Sequence, residues 1–226
     1  MSRGRQPELS PSVERALSLP RPRWRGVIHR WAFFVSLPVG VACLVLAPDA
    51  RSTLATGFFS AGMWVMFGTS AVVHYKQWSA EQFHLLFRLD HSAIFFDIAA
   101  QATGVVLLTL DGKPLAFALA WFWLGAAMGI GAEWVPFHPP RGLMNALFLS
   151  LGWGAVLLVP WLWNALGGGQ FALLAAGGLM YTFGAIVVGA RRPDPDPDVF
   201  GYHEIWHALV VLGVTCHLAL LVALYP

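Results

Sequence analysis

Seven long apolar runs constrain this chain more than any other feature. They cover roughly 31–47, 53–73, 91–110, 115–135, 143–163, 171–190 and 202–224, each close to the ~20 residues that carry a helix across a bilayer. Charged residues make up 12% of the chain and hydrophobic ones 57%, where a soluble domain carries roughly 25% charge. The expected fold is therefore an all-α membrane protein, a seven-transmembrane helix bundle occupying 31–226 behind a polar tail at 1–30. Short breaks separate the runs at 48–51, 111–114, 136–141 and the Gly167-Gly168-Gly169 turn. Trp121, Trp123, Trp134, Trp161 and Trp163 are read as an interfacial belt. No internal repeat or second domain is visible.

The tail is rich in arginine and proline and has no apolar h-region, which argues against a secretory signal peptide. Its end, Arg21-Pro22-Arg23-Trp24-Arg25, is expected against anionic headgroups. Cys43 and Cys216 both fall inside apolar runs, so they read as small core residues rather than a disulfide. A pI near 8.7 does not imply nucleic acid, because the basic residues are not clustered on a soluble face.

Their placement sets orientation instead. Of the fourteen lysines and arginines, twelve fall on one side: Arg3, Arg5, Arg15, Arg21, Arg23, Arg25, Arg30, Lys76, Arg88, Arg141, Arg191 and Arg192. Only Arg51 and Lys113 fall on the other. The amino terminus is expected inside and, with seven spans, the carboxyl terminus outside. The Pro193-Asp194-Pro195-Asp196-Pro197-Asp198 tract reads as a stiff, extended, solvated spacer into the last run, not as a metal site.

The chemistry concentrates in Gly201-Tyr202-His203-Glu204-Ile205-Trp206-His207, which opens the seventh run. Residues four apart share a helix face, so His203 and His207 can hold one metal ion. Two imidazoles suit zinc (Zn2+), a tetrahedral ion that takes nitrogen ligands. The pattern also spells His-Glu-x-x-His. Glu204, however, points away from the shared face, and only 19 residues follow His207, so a zinc protease is a weak reading. Topology supplies the third ligand. The second run ends, with Ser70-Ala71-Val72-Val73-His74, at the level where the seventh begins. The third run starts there too, with Arg88-Leu89-Asp90-His91, and Asp90 is either a fourth ligand or the holder of a zinc-bound water. Ionisable groups at such depths are costly and usually functional.

Ser-x-x-x-His at 70–74, Leu-Asp-His-Ser at 89–92 and Phe-Gly-Tyr-His-Glu-Ile-Trp-His at 200–207 resemble the hemolysin III family. That family is related to the adiponectin and progestin receptors and more distantly to alkaline ceramidases. The resemblance covers about 25–224. It implies seven helices, an inner-side zinc on His74, His203 and His207, a water held by Asp90 and a supporting role for Ser70. It also implies a multi-pass protein of a cell membrane, the bacterial inner membrane. The chain departs from the family before the first helix, where 25–29 supply only His29 in place of an acidic residue and an asparagine. It departs again at Asp97, where relatives generally carry an apolar residue; Asp97 either bonds Gln101 or a neighbouring helix, or lines a polar cavity.

Other ionisable groups carry less weight. His84, in a presumed amphipathic loop at 76–87, and His138 read as solvated. His91 points about 100° from Asp90; His217 lies too far along its helix to share the ion. Glu133 reads as an interfacial cap or ion-pair partner, with a place beside the site as the alternative. Three imidazoles with an open position form a hydrolytic arrangement, in which Asp90 takes a proton and Ser70 fixes His74 or meets a substrate oxygen. The expected partner is then a membrane acyl lipid, cut at an amide or ester bond at the inner leaflet. A receptor-like sensor of membrane lipid state with structural zinc needs the same ligands, and sequence does not divide the two. A pore-forming cytolysin is disfavoured by the lack of an amphipathic lumen-facing stripe. A reporter fused after Pro226 should be active only outside the cytoplasm; cytoplasmic activity would contradict seven spans.

Overall fold

The computed structural model describes residues 21–135 and 142–226. Seven helices are long and apolar enough to cross a membrane: α1 (Val27–Leu46), α2 (Ala50–Val73), α3 (Ala80–Thr109), α4 (Gly112–Trp134), α5 (Leu143–Ala165), α6 (Gly168–Ala190) and α7 (Tyr202–Ala223). No strand occurs among the described residues. α5 tightens to a 3-10 turn over Gly154–Leu158 before resuming at Val159–Ala165. Pro160 accounts for part of this, since it has no N–H to donate back to the preceding turn.

α3 is the central pillar, the helix with the largest buried share, packed between α2 and α4 and reached by α7. On one side Phe59, Met63, Met66 and Phe67 of α2 meet Val214 and Leu221 of α7. On the other, Phe95 and Ala99 of α3 pack with Phe122 of α4, Leu151, Leu158 and Leu162 of α5, and Leu220 of α7. The outward faces are apolar and exposed, with Trp31, Val45, Leu46, Leu124 and Met128 among them, as lipid contact requires. In lipid there is no hydrophobic gain from pairing helices, so close packing of small residues matters more. Gly62 supplies it between α2 and α3: a Cβ there would sit 2.8 Å from that of Ala100 and 2.9 Å from Asp97 Oδ1.

Charges at the helix ends agree with a two-ended molecule. At one end, Arg51 of α2 binds the Leu110 carbonyl at 2.7 Å and the Asp111 carboxylate at 2.9 Å, tying α2 to the α3–α4 turn. Asp49 caps α2 by accepting the Ser52 N–H at 2.7 Å, and that bond holds its carboxyl below the usual carboxylate range. Arg21, Arg25 and the residues of the candidate site gather at the other end.

Three local expectations are corrected. α3 begins at Ala80, not near 88–91, so 80–87 is helix rather than loop. The cause is a reciprocal cap: Ser79 Oγ accepts from Gln82 N–H and Gln82 Oε1 accepts from Ser79 N–H, each at 3.3 Å. His84 is half-buried on this extension. The aspartate-proline tract is folded, not extended. Asp196 and Phe200 exchange backbone bonds, Asp196 Oδ1 accepts from Asp198 and Val199 N–H, and Asp194 Oδ1 accepts the Tyr202 N–H at 3.0 Å. Trp123 lies midway along α4, donating to Thr103 Oγ1 at 3.0 Å, and is no interfacial anchor. His138 and Arg141 lie outside the described residues. Cys43 and Cys216 are free.

Candidate metal centre

α2 stops where its last turn is needed. His74 caps its C-terminus, its N–H returning to the Ser70 carbonyl at 3.1 Å. The α1 start lies directly against it: Gly26, at φ 76°, leaves no room for a side chain beside the His74 Cβ, and only glycine adopts that φ freely. The Arg21 guanidinium donates to the His74 carbonyl. Residues 23–24 bond the 198–199 carbonyls at 2.9 and 3.1 Å, so the segment before α1 straps the end of α2 to the approach of α7.

The first turn of α7 is fixed by Glu204. One carboxylate oxygen accepts the Gly201 N–H at 3.0 Å and the other accepts Arg25 Nε at 2.7 Å. Glu204 is fully buried and Arg25 is 23% exposed. The middle glutamate of the His-Glu-x-x-His pattern thus orients the turn that presents His203 and His207, which leaves it no role as a base.

The ring nitrogens offered by His74, His203 and His207 all lie within 4.8 Å of one another, and His74 Nε2 stands 3.2 Å from His203 Nε2. Two nitrogens at ~2.05 Å on a tetrahedral ion are roughly 3.3 Å apart, so the cluster fits zinc. His207 is buried, and its Nδ1 has no hydrogen-bond partner. Among the described residues no carboxylate joins this group: Asp90 lies outside it.

Sequence reading undervalued His29. From α1 it stacks on His207 with ring centres 3.8 Å apart and planes 8° from parallel. Its Nδ1 is 2.8 Å from Ser70 Oγ, and its Nε2 is buried without a partner. Ser70 therefore acts on His29, and through it on His207. Its hydroxyl is not bonded to His74. The signal was available, since α1 starts at the same membrane level as α7. Asp90, only 8% exposed, joins His29 and Ser70 in lining a partly open cavity of about 450 Å³ that runs on among α3, α5, α6 and α7. His91 pairs with Glu133 at 3.3 Å, apart from the cluster.

The match to known proteins follows this geometry. The model of a family described as "Haemolysin-III related" matches residues 17–218. The chain belongs to that family. It is 27% identical over 192 residues to a hemolysin-3 homolog of Bacillus subtilis (strain 168), covering 83% of this chain and 86% of that one. A hemolysin-3 of Bacillus cereus is 28% identical over 195 residues, covering 83% and 84%. Each match spans most of both chains.

Replacing Arg25 by Met leaves the buried Glu204 carboxylate short of a partner. Stability should fall by about 1–3 kcal/mol, read as a lower melting temperature, and Arg25→Met/Glu204→Gln should recover part of it. An unchanged melting temperature for Arg25→Met would contradict the pairing.

Proposed function

We propose that the chain is a zinc-dependent hydrolase of an acyl lipid, cutting an amide or ester bond at the cytoplasmic face of a cell membrane. The observation that carries this reading is the position of Asp90. It lines the same cavity as Ser70 and as His29, the ring stacked on His207, without belonging to the imidazole group itself. A structural zinc needs no such carboxylate; a hydrolytic one needs a base next to an open position.

His74, His203 and His207 would hold the ion. Zinc in such a site supplies a Lewis acid and brings the pKa of water toward ~7. Asp90 then takes a proton from the attacking water, whose oxygen bonds to the acyl carbon. As the C–N or C–O bond breaks, Asp90 returns that proton to the departing nitrogen or oxygen. Ser70 and the stacked His29 keep the His207 ring in place, and the Arg25–Glu204 pair keeps the helix turn that carries both α7 histidines. The cavity is lined mainly by apolar side chains such as Ile94, Ile98, Phe122 and Leu174, suited to an acyl chain, and its volume falls in the range of small-ligand pockets. The twelve-to-two division of basic residues supports a cytoplasmic position for this end of the bundle.

A second reading keeps the zinc but not the turnover. The imidazole cluster and its supports knit α1, α2 and α7 together, as a receptor-like sensor of lipid state would also require. Asp90→Asn separates the two. It fits the same space and cannot take the proton, so zinc content and melting temperature should hold while hydrolysis of acyl amides and esters falls by ~10²–10⁴-fold. Full turnover by Asp90→Asn would contradict the assigned base. A wild type inactive on every acyl lipid tested would favour the sensor.

A further inference from the structure

A second polar cluster lies deeper in the same cavity. Asp97 and Gln101 of α3, both buried, meet Tyr181 of α6 and His217 of α7. Asp97 and Gln101 follow Asp90 by seven and eleven residues, roughly 10 and 16 Å along the helix axis. The cluster is therefore well removed from the imidazoles, and the described mechanism makes no use of it.

Its hydrogen bonds can be followed atom by atom. A carboxylate only accepts, so the amide nitrogen of Gln101 must face Asp97; it donates to Oδ2 at 2.7 Å. Gln101 Oε1 then faces Tyr181 OH, which donates at 3.0 Å, and His217 Nδ1 at 3.3 Å. His217 Nε2 lies 3.2 Å from the Leu174 carbonyl; a neutral imidazole carries one N–H and so donates to only one of these two oxygens. Gly62 leaves the space that Asp97 Oδ1 fills. Among the described residues, the second amide hydrogen of Gln101 and the lone pairs of the Tyr181 oxygen remain unused, and so does Asp97 Oδ1, which is buried without a partner against Gly62. One donor and one acceptor, on two side chains joined by a 3.0 Å hydrogen bond, are the complement of a hydroxyl group.

Gln101, Tyr181 and His217 all line the cavity, whose walls around them are apolar: Ile98, Val105, Leu174 and Val210. Polar bonds between membrane helices give only a modest stability return, and an ionisable residue at this depth calls for a function. We propose that Gln101 and Tyr181, held by Asp97 and His217, form a binding subsite for a hydroxyl group carried part-way along an acyl chain whose carbonyl lies at the metal centre. This rests on the acyl-lipid reading above and narrows its substrate class to mid-chain hydroxylated acyl lipids.

The test is competition binding to the purified, zinc-loaded full chain, displacing a fluorescent fatty acid. Three fatty acids of equal length serve as probes: unsubstituted, hydroxylated at mid-chain, and hydroxylated beside the carboxyl group. The mid-chain hydroxyl should bind about tenfold tighter than the unsubstituted chain, as one to two net hydrogen bonds allow. The hydroxyl beside the carboxyl group should bring no such gain. Gln101→Leu and Tyr181→Phe should each reduce the preference while leaving the unsubstituted chain within about twofold. Tyr181→Phe removes a single oxygen and so covers the case in which Gln101→Leu does not fold. Equal binding of all three probes by the wild type, or a preference untouched by both variants, would overturn the subsite alone. Failure of every chain to bind would overturn the acyl-lipid reading as well.

Discussion

The molecule depends on a meeting of helix ends. α2 finishes and α7 starts at one end of the bundle, and that alone lets His74 reach the pair His203 and His207. Neither helix would hold this position unaided. α7 begins with Glu204 closing its first turn, and Arg25 pins that carboxylate from the segment before α1. The same segment lies over His74, with Gly26 allowing the closest approach. Three imidazoles lie within contact of one another and a fourth is stacked against them. We propose a metal ion as the partner for so many ring nitrogens with so few others.

Depth along the bundle separates tasks. The imidazoles sit where helices end and polar loops can support them. The cavity begins at that level, walled by His29, Ser70 and Asp90, and continues between apolar faces. α3 runs through all of it. Its capping box at Ser79 starts it early, so Asp90 is presented from mid-helix on a rigid rod and not from a fraying end. Asp97 and Gln101 follow on the same helix, which fixes their distance from Asp90.

Much of this was legible in the sequence, for identifiable reasons. Span count follows from run length, and the three-histidine cluster follows from i, i+4 spacing combined with which helix ends share a level. The same level argument reaches His29, but a histidine amid arginines ahead of an apolar run looks like interface. Hydropathy alone does not reveal the start of α3, because 80–87 is amphipathic, although Ser79 and Gln82 spell the cap. Alternating prolines predict an extended aspartate-proline tract because proline stiffness is local, whereas the Asp194 and Asp196 bonds to backbone N–H groups depend on the fold. The Arg25–Glu204 pair joins residues 179 positions apart, and no spacing rule finds it.

The proposed function requires a zinc ion on His74, His203 and His207. X-ray absorption at the zinc edge of the purified protein tests it most directly. The account predicts about one zinc per chain, a shell of nitrogen and oxygen neighbours at ~2.0–2.1 Å with imidazole scattering and no sulfur, and loss of that signal in His203→Ala. Zinc retained in full by a protein lacking all three histidines, or a sulfur-containing shell, would contradict it.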